Sequence, residues 1–344
     1  MKVAIKDLGE IITGNTPSKK DESFWNSDDI CFVKPDGIAD EGITLISNSN
    51  EYLSENARKK ARVVSKDAVF VTCIGSIGKI GIASDGDYAF NQQINVVIPN
   101  EKVLPRYLAY NLLFSKPRLE AIANAPVVPI INKTQFGNFM ISIEESTDKQ
   151  EQIVSTLDKL SGIICSRKAE LEELDNLIKA RFVEMFGDVI LNDKNWQCKA
   201  WADVLTIVNG RNQKDVEAEN GDYLICGSGG PMSRATNYLT NENSVIIGRK
   251  GNINKPILMR EKFWNVDTAF GLEPDTMQIM VEYLYLYCVL FDFEKLNKAV
   301  TIPSLTKTDL LKIEMPIPNF ALQKKFAEFC AQVDKSKVVA LKVA

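Results

Sequence analysis

The chain of 344 residues contains no histidine, and no other absence excludes as much. Without an imidazole there is no Ser-His-Asp or Cys-His nucleophile system and no HExxH zinc site. No side chain with an unperturbed pKa near neutrality is present for acid–base work. Cysteine is sparse and scattered. The seven, at Cys31, Cys73, Cys165, Cys198, Cys226, Cys288 and Cys330, include no CxxC pair, which excludes zinc ribbons and thioredoxin-like redox sites. Isolated thiols in a reducing cytosol are expected. Pro-Pro never occurs, so the Asn/Asp-Pro-Pro-Tyr/Phe motif of an adenine methyltransferase is missing. No GxxxxGK[ST] phosphate loop is present either. Gly227-Ser228-Gly229-Gly230 fails the GxGxxG pattern, because Met232 stands at the third glycine and Pro231 interrupts, and it reads as a tight turn. A carboxylate nuclease needs converging acids and a lysine. Pro35-Asp36 has no acid-x-Lys strand after it, and Asp21-Glu22 and Glu172-Glu173 read as solvated faces. No catalytic residue, metal site or chain-bound cofactor is therefore expected.

Long apolar runs are also lacking. Met1-Lys2-Val3-Ala4-Ile5-Lys6-Asp7 has no signal-peptide core, and the apolar stretch 281–293 is too short to span a bilayer and is broken by Glu282 and Asp292. A soluble cytoplasmic protein without a membrane partner is the expectation. The 41 basic residues are outnumbered by 45 acidic ones, a net charge of -4, which speaks against a simple basic nucleic-acid binder.

What the chain does contain is order at two scales. Over 150–186 there is no proline and one glycine, Gly162, and the apolar positions Ile153, Leu157, Leu160, Ile164, Leu171, Leu174, Ile178 and Met185 alternate in spacings of four and three. Arg167 and Arg181 fill two slots of this heptad seam. The pattern predicts one helix of roughly 37 residues, about 55 Å long, which needs a partner helix. Gly187 stands where a C-cap belongs. On either side, β-type runs (68–72, 94–98, 244–247) and helical stretches (104–114, 280–291) alternate with Gly, Asn, Asp and Pro clusters, which indicates an α+β fold.

The second scale is a repeat of about 175 residues. Gly75-Ser76-Ile77-Gly78-Lys79 matches Gly251-Asn252-Ile253-Asn254-Lys255, Pro99 matches Pro274, and Pro129-Ile130-Ile131-Asn132-Lys133-Thr134 matches Pro303-Ser304-Leu305-Thr306-Lys307-Thr308. Ile141 and Ile143 match Met315 and Ile317, and Gln150-x-x-Ile153 matches Gln323-x-x-Phe326. The expected organisation is a domain over 1–146, a helix over 147–186, a second domain over 187–318 and a second helix over 319–344. Its seam runs through Phe326, Cys330 and Val333 and fades into Lys337 and Ala340.

Polar recognition surface recurs with the repeat. The first domain has Thr16, Ser18, Lys19 and Lys20 in one loop, then Arg58, Lys59 and Lys60 within a run that extends through Arg62 to Lys66 without an acid. It also has Lys79 after the glycine turn and Gln92 and Gln93 after Asn91. The second has Arg211, Asn212, Gln213 and Lys214, then Ser228, and Arg249, Lys250 and Lys255 around its own glycine turn. These side chains clamp phosphates and read base edges. Net charge is -2 over 1–146 and -3 over 187–318, with the cations concentrated in islands. The residues alone also admit a non-catalytic coiled-coil scaffold joining two ligand-binding modules unrelated to DNA.

Several runs resemble the DNA specificity subunit of type I restriction–modification enzymes. They are Tyr223-Leu224-Ile225-Cys226-Gly227-Ser228-Gly229-Gly230, Val245-Ile246-Ile247-Gly248-Arg249-Lys250-Gly251-Asn252-Ile253 and Phe263-Trp264-Asn265-Val266-Asp267-Thr268-Ala269-Phe270. To these add Ile302-Pro303-Ser304-Leu305 with Met315-Pro316-Ile317-Pro318, Thr13-Gly14-Asn15-Thr16-Pro17-Ser18, and Glu151-Gln152-Ile153-Val154. The resemblance covers nearly the whole chain. It implies two target recognition domains in tandem, each followed by a long helix, the helices packing as an antiparallel coiled coil. It implies a bipartite double-stranded DNA site, two modification subunits docked on the helices and a separate restriction/translocase subunit. S-adenosylmethionine, ATP and Mg are expected on those partners. The family pattern leads to a second helix as long as the first, whereas here about 24 residues follow position 320; the second helix is expected to be short.

Overall fold

A computed structural model describes residues 1–25, 27–123, 128–299 and 301–342, the side chains as far as 338. The side chain of Ala340 and the residue Ala344 lie outside the described residues. The chain forms two compact units, Met1–Ile164 and Cys165–Ala344. Their boundary falls inside the heptad helix, which spans Thr147–Phe186, 40 residues with three more at its start than its seam predicted. Ser146 caps that start, its hydroxyl accepting the Lys149 N–H at 3.4 Å. At the other end Gly187 takes φ +77° and its N–H bonds the Val183 carbonyl at 2.8 Å. That left-handed φ favours glycine at the cap, and a β-carbon there would also press on the Asp193 side chain.

The first unit carries a five-stranded sheet in the order Gly9–Thr13, Ile94–Pro99, Val69–Thr72, Ile80–Ala83, Ile43–Ile46. Only the last pair is parallel. Beside it lies a four-stranded sheet, Glu51–Leu53, Ile30–Val33, Tyr88–Phe90, Val63–Val64, with a parallel pair at its centre. The second unit repeats both. Leu205–Asn209, Ala269–Pro274, Ser244–Gly248 and Ile257–Met259 form an antiparallel sheet, and Gly230–Ala235, Tyr223–Gly227 and Phe263–Asn265 form the smaller one, again with a parallel pair. Each unit adds a short antiparallel ladder, Lys2–Ala4 with Met140–Ser142 and Cys198–Ala200 with Glu314–Pro316. This is an α+β fold built twice. The hairpin 227–230 is a turn, as its failed phosphate-loop pattern predicted.

The repeat extends to buried polar groups. Gln150 and Gln323 are fully buried, and each clamps the start of a helix. Gln150 Oε1 accepts the Leu104 N–H at 2.9 Å while its amide donates to the Lys102 and Glu144 carbonyls. Gln323 Oε1 accepts the Met280 N–H at 3.0 Å while its amide donates to the Gln278 and Pro318 carbonyls. Each clamp satisfies three backbone groups that the apolar surroundings would otherwise leave unpaired. The helices so started are Pro105–Phe114 and Val281–Leu290.

The seam divides in two. Within the second unit the last helix, Phe320–Lys342, runs antiparallel to the end of the long one. Phe326 packs on Phe182 and Phe186, centroids 5.4 Å apart in both pairs, and further along Lys337 reaches Asp175 at 2.7 Å. Phe326, Cys330, Val333 and Ile178 are buried there, and Leu171 and Leu174 are half-buried. In the first unit the expected burial does not hold. Ile153, Leu160 and Ile164 are 39%, 50% and 49% exposed and Leu157 is half-buried, because no described segment covers that face.

Candidate nucleic-acid interface

Four backbone hydrogen bonds build the same loop cluster in each unit. In the first, the Asn15 N–H bonds the Phe90 carbonyl (2.9 Å), Cys73 bonds Gln93 (2.7 Å), Gly75 bonds Pro129 (3.0 Å) and Ile131 bonds Cys73 (2.9 Å). In the second, Arg211 bonds Asn265 (3.0 Å), Arg249 bonds Thr268 (2.8 Å), Gly251 bonds Pro303 (3.0 Å) and Leu305 bonds Arg249 (2.9 Å). The glycine turns require φ +77° at Gly75 and +81° at Gly251, a region costly to other residues. The matched motifs of the sequence are therefore the corners of one structural device used twice.

In the first unit three of the polar segments meet. The Thr16 hydroxyl donates to Gln92 Oε1 at 3.0 Å. The Asn15 amide donates to the Lys60 carbonyl at 2.7 Å and accepts the Arg62 N–H at 2.9 Å. Gln93 is half-buried and accepts the Asn91 amide at 2.8 Å. Ser18 is exposed and braces its own loop, with its hydroxyl accepting the Lys20 N–H at 3.3 Å and its carbonyl the Trp25 indole at 3.1 Å.

Five cations of this unit's loops are tied to its own carboxylates. Lys19 and Lys34 share Glu51, and Lys19 also lies 5.2 Å over the Trp25 ring. Arg58 grips Glu55 and Asp87, each at 2.6 Å, and Lys66 holds Asp85 at 3.0 Å. Lys79 departs furthest from the sequence expectation of an open cation. Its side chain is 11% exposed, and Nζ reaches Asp40 at 2.9 Å and the Ile38 and Pro35 carbonyls at 3.1 and 3.3 Å. It pins the loop over 35–40 to the glycine turn. The pairings shift the acids accordingly. The Lys79 hydrogen bond holds Asp40 below the usual carboxylate range, that of Lys34 does so for Glu51, and those of Arg58 do so for Glu55 and Asp87. Lys20, Lys59 and Lys60 are exposed and, among the described residues, carry no ion pair.

The second unit is arranged otherwise. Arg211, Lys214, Lys250 and Lys255 are exposed and Arg249 half-buried, and none has an ion pair among the described residues. The Arg249 guanidinium lies 5.7 Å over the Phe270 ring, and the Arg211 carbonyl accepts the Trp264 indole at 3.0 Å. Asn212 Oδ1 accepts the Lys214 N–H at 3.0 Å, and the Gln213 carbonyl accepts the Val216 and Glu217 N–H groups. Ser228 sits half-buried in the hairpin turn, which the Val266 N–H ties to the cluster through the Cys226 carbonyl at 3.0 Å. Lys255 is set apart, since its neighbour Asn254 is bound to Asp292 at 3.1 Å and to the Phe293 N–H at 2.8 Å.

One residue of the cluster escaped sequence reasoning. Asp267 is exposed between Val266 and Thr268, at the place equivalent to Gln92; it stands inside the run 263–270 that carries the family resemblance, and the repeat spacing of about 175 pairs it with Gln92. Among the described residues no group of three His, Cys, Asp or Glu is placed to hold a metal ion. Burial pushes the Cys73, Cys226 and Cys330 thiols up to about 12, which leaves them protonated and unreactive. The surface offers cations, amides and one carboxylate, the groups that position and read a nucleic acid.

Comparison with known proteins agrees. The family described as "Type I restriction modification DNA specificity domain" matches residues 1–176 and again 193–341. The type I restriction enzyme MjaIX specificity subunit of Methanocaldococcus jannaschii is 25% identical over 367 aligned positions, 94% of this chain and 84% of that one. The HindI specificity subunit of Haemophilus influenzae is 34% identical over 188 positions, 52% of this chain and 40% of that one. Among solved structures, the type I S subunit from M. genitalium superposes with a TM-score of 0.62 at 16% identity, covering 99% of this chain and 91% of that one. A chain from a structure on complex assembly and conformational transition of the type I R-M system gives 0.53 at 16% identity, covering 100% and 93%. Two tandem domains of one family account for the internal repeat. The chain belongs to the type I restriction–modification DNA specificity family; it is a DNA-binding specificity subunit and not a catalytic one. Its partners are DNA and the other subunits of such a system.

Proposed function

We propose that each loop cluster reads one half of a bipartite double-stranded DNA site. In the first domain this places Thr16, Gln92, Lys20, Lys59 and Lys60 against DNA, and in the second Arg211, Lys214, Arg249 and Lys250. The observation that carries the reading is the same four-bond loop cluster in both domains, each with exposed polar side chains around it. Two modification subunits dock on the helical segments and bring S-adenosylmethionine, and the restriction/translocase subunit brings ATP and Mg; this chain binds none of these itself. It acts in the cytoplasm, with its DNA, and among the described residues no helix is long and apolar enough to cross a membrane. The test is selection from a random duplex library by the chain assembled with its modification partner. Enrichment of a two-part site is expected, and equal affinity for all sequences overturns the proposal.

A further inference from the structure

In each unit a three-residue connection crosses from the smaller sheet to the larger one and offers a single exposed side chain at the middle of the loop cluster. In the first unit that side chain is Gln92, between Tyr88–Phe90 and Ile94–Pro99; in the second it is Asp267, between Phe263–Asn265 and Ala269–Pro274. The equivalence is fixed by the backbone, since Cys73 bonds the carbonyl after Gln92 and Arg249 bonds the carbonyl after Asp267.

The charge of Asp267 is the anomaly. Arg211 is tied to Asn265, two residues before it, and both Arg249 and Lys250 donate backbone N–H groups to Thr268, one residue after it, at 2.8 and 3.2 Å. Both cationic loops, at 211 and at 249–250, close on this turn. Yet the carboxylate is exposed and, among the described residues, makes neither a hydrogen bond nor an ion pair. On a surface that only grips phosphates, a free carboxylate at the centre is unfavourable, because it repels the backbone and lowers affinity for every sequence. A carboxylate has one favourable use against duplex DNA: it accepts a hydrogen bond from an exocyclic amine in the major groove, in the standard pairing the N4 amine of cytosine. The surrounding cations then hold phosphates and set the register, and the acid reads.

We infer that Asp267 is a specificity-determining residue of the second domain, accepting a hydrogen bond from cytosine N4 at one position of that domain's half-site. The inference rests on the DNA-reading function proposed above. Gln92 holds the equivalent place in the first domain, where its amide, steadied by Thr16, suits adenine.

The experiment selects duplexes from a random library with the full chain in complex with its modification subunit, comparing the natural chain with Asp267→Asn, Asp267→Ala and, as a control that removes another exposed acid, Glu219→Gln. The Asn variant keeps the shape and so keeps the fold. The natural chain is expected to require C at one position of one half-site. In Asp267→Asn preference at that position moves from C towards A, and in Asp267→Ala discrimination there falls roughly tenfold. The other half-site and the Glu219→Gln consensus stay unchanged. An unchanged consensus with tighter binding to all sequences overturns the inference, since Asp267 then acts only as a repulsive charge. A change at a position that is not C overturns it as well. If the natural chain selects no two-part site, the DNA-reading proposal falls and this inference falls with it.

Discussion

Around its loop cluster the first domain binds five cations to its own carboxylates, while the four cations at the corners of the second domain's cluster stay open. Lys19, Lys34, Arg58, Lys66 and Lys79 each hold an acid, whereas Arg211, Lys214, Arg249 and Lys250 hold none among the described residues. For Lys19, Lys34 and Lys79 the cause is topological. Between Ile30–Val33 and Glu51–Leu53 the first domain inserts an excursion that carries Lys34, Asp40 and the extra strand Ile43–Ile46, and it returns through Glu51. The second domain closes the same hairpin with a turn at 227–230. Net charge per domain, slightly more negative for the second, points the wrong way. What counts for DNA is which cations lack a local counter-charge: Lys20, Lys59 and Lys60 in the first domain, and Arg211, Lys214, Arg249 and Lys250 in the second.

The domains also differ in how the helix after each is covered, and here the largest effect is expected. Phe326 and Ile153 occupy the same repeat position, the first fully buried and the second 39% exposed. Phe326→Ala is expected to lower unfolding free energy by about 3–5 kcal/mol, and Ile153→Ala to stay within about 0.5 kcal/mol. Denaturant melts of both variants check this, and equal losses would break the contrast. Next comes charge. Replacing Arg211, Lys214, Arg249 and Lys250 by Gln should flatten the salt slope of DNA binding by about three to four units. That is about a hundredfold less sensitivity between 50 and 200 mM salt. Replacing Lys19, Lys34 and Arg58 by Gln should change the slope by less than about one unit. Binding isotherms across that range decide it, and equal slopes for the two sets contradict the distinction between open and paired cations.

Where the domains agree, the variants should agree. Gln150→Ala and Gln323→Ala each strand one N–H and two carbonyls and should each cost about 1–3 kcal/mol, equal within about 1 kcal/mol, by urea denaturation. The smallest effect is acid sensitivity. Asp40, Glu51, Glu55 and Asp87 have folded pKa values below their unfolded ones. Their contribution is complete above the unfolded carboxylate value of about 4 and is lost as pH falls through the lower folded values. The second unit has such lowered acids at Asp275 and Asp309, outside its loop cluster. Hydrogen exchange followed from about pH 6 to pH 3 should therefore show amides of the first unit opening before those of the second, and simultaneous opening would count against the pairings.

Much of this architecture was legible in the order of residues. The runs near 69, 94 and 244 became strands, the stretches near 105 and 281 became helices, and the motifs about 175 residues apart became matching corners. These signals are local. A β run, a pause in proline and a glycine at a left-handed turn each act within a few residues, and repetition marks them twice. The site was only partly legible. Thr16 and Gln92 were foreseen as polar surface and the fold joins them, but Lys79 reads as an open cation until Asp40 is seen beside it. Asp267 reads as one acid among many until its place on the turn is known.

The sequence by itself determined that there are two like domains, where their elements lie, and that no histidine chemistry is available. Only the tertiary structure decided which cations remain free for DNA and which stretch of the heptad seam is buried. Both depend on partners far along the chain, Asp87 for Arg58 and Phe326 for Phe182, and such pairings are set by the packing of sheets and helices, which no local pattern encodes.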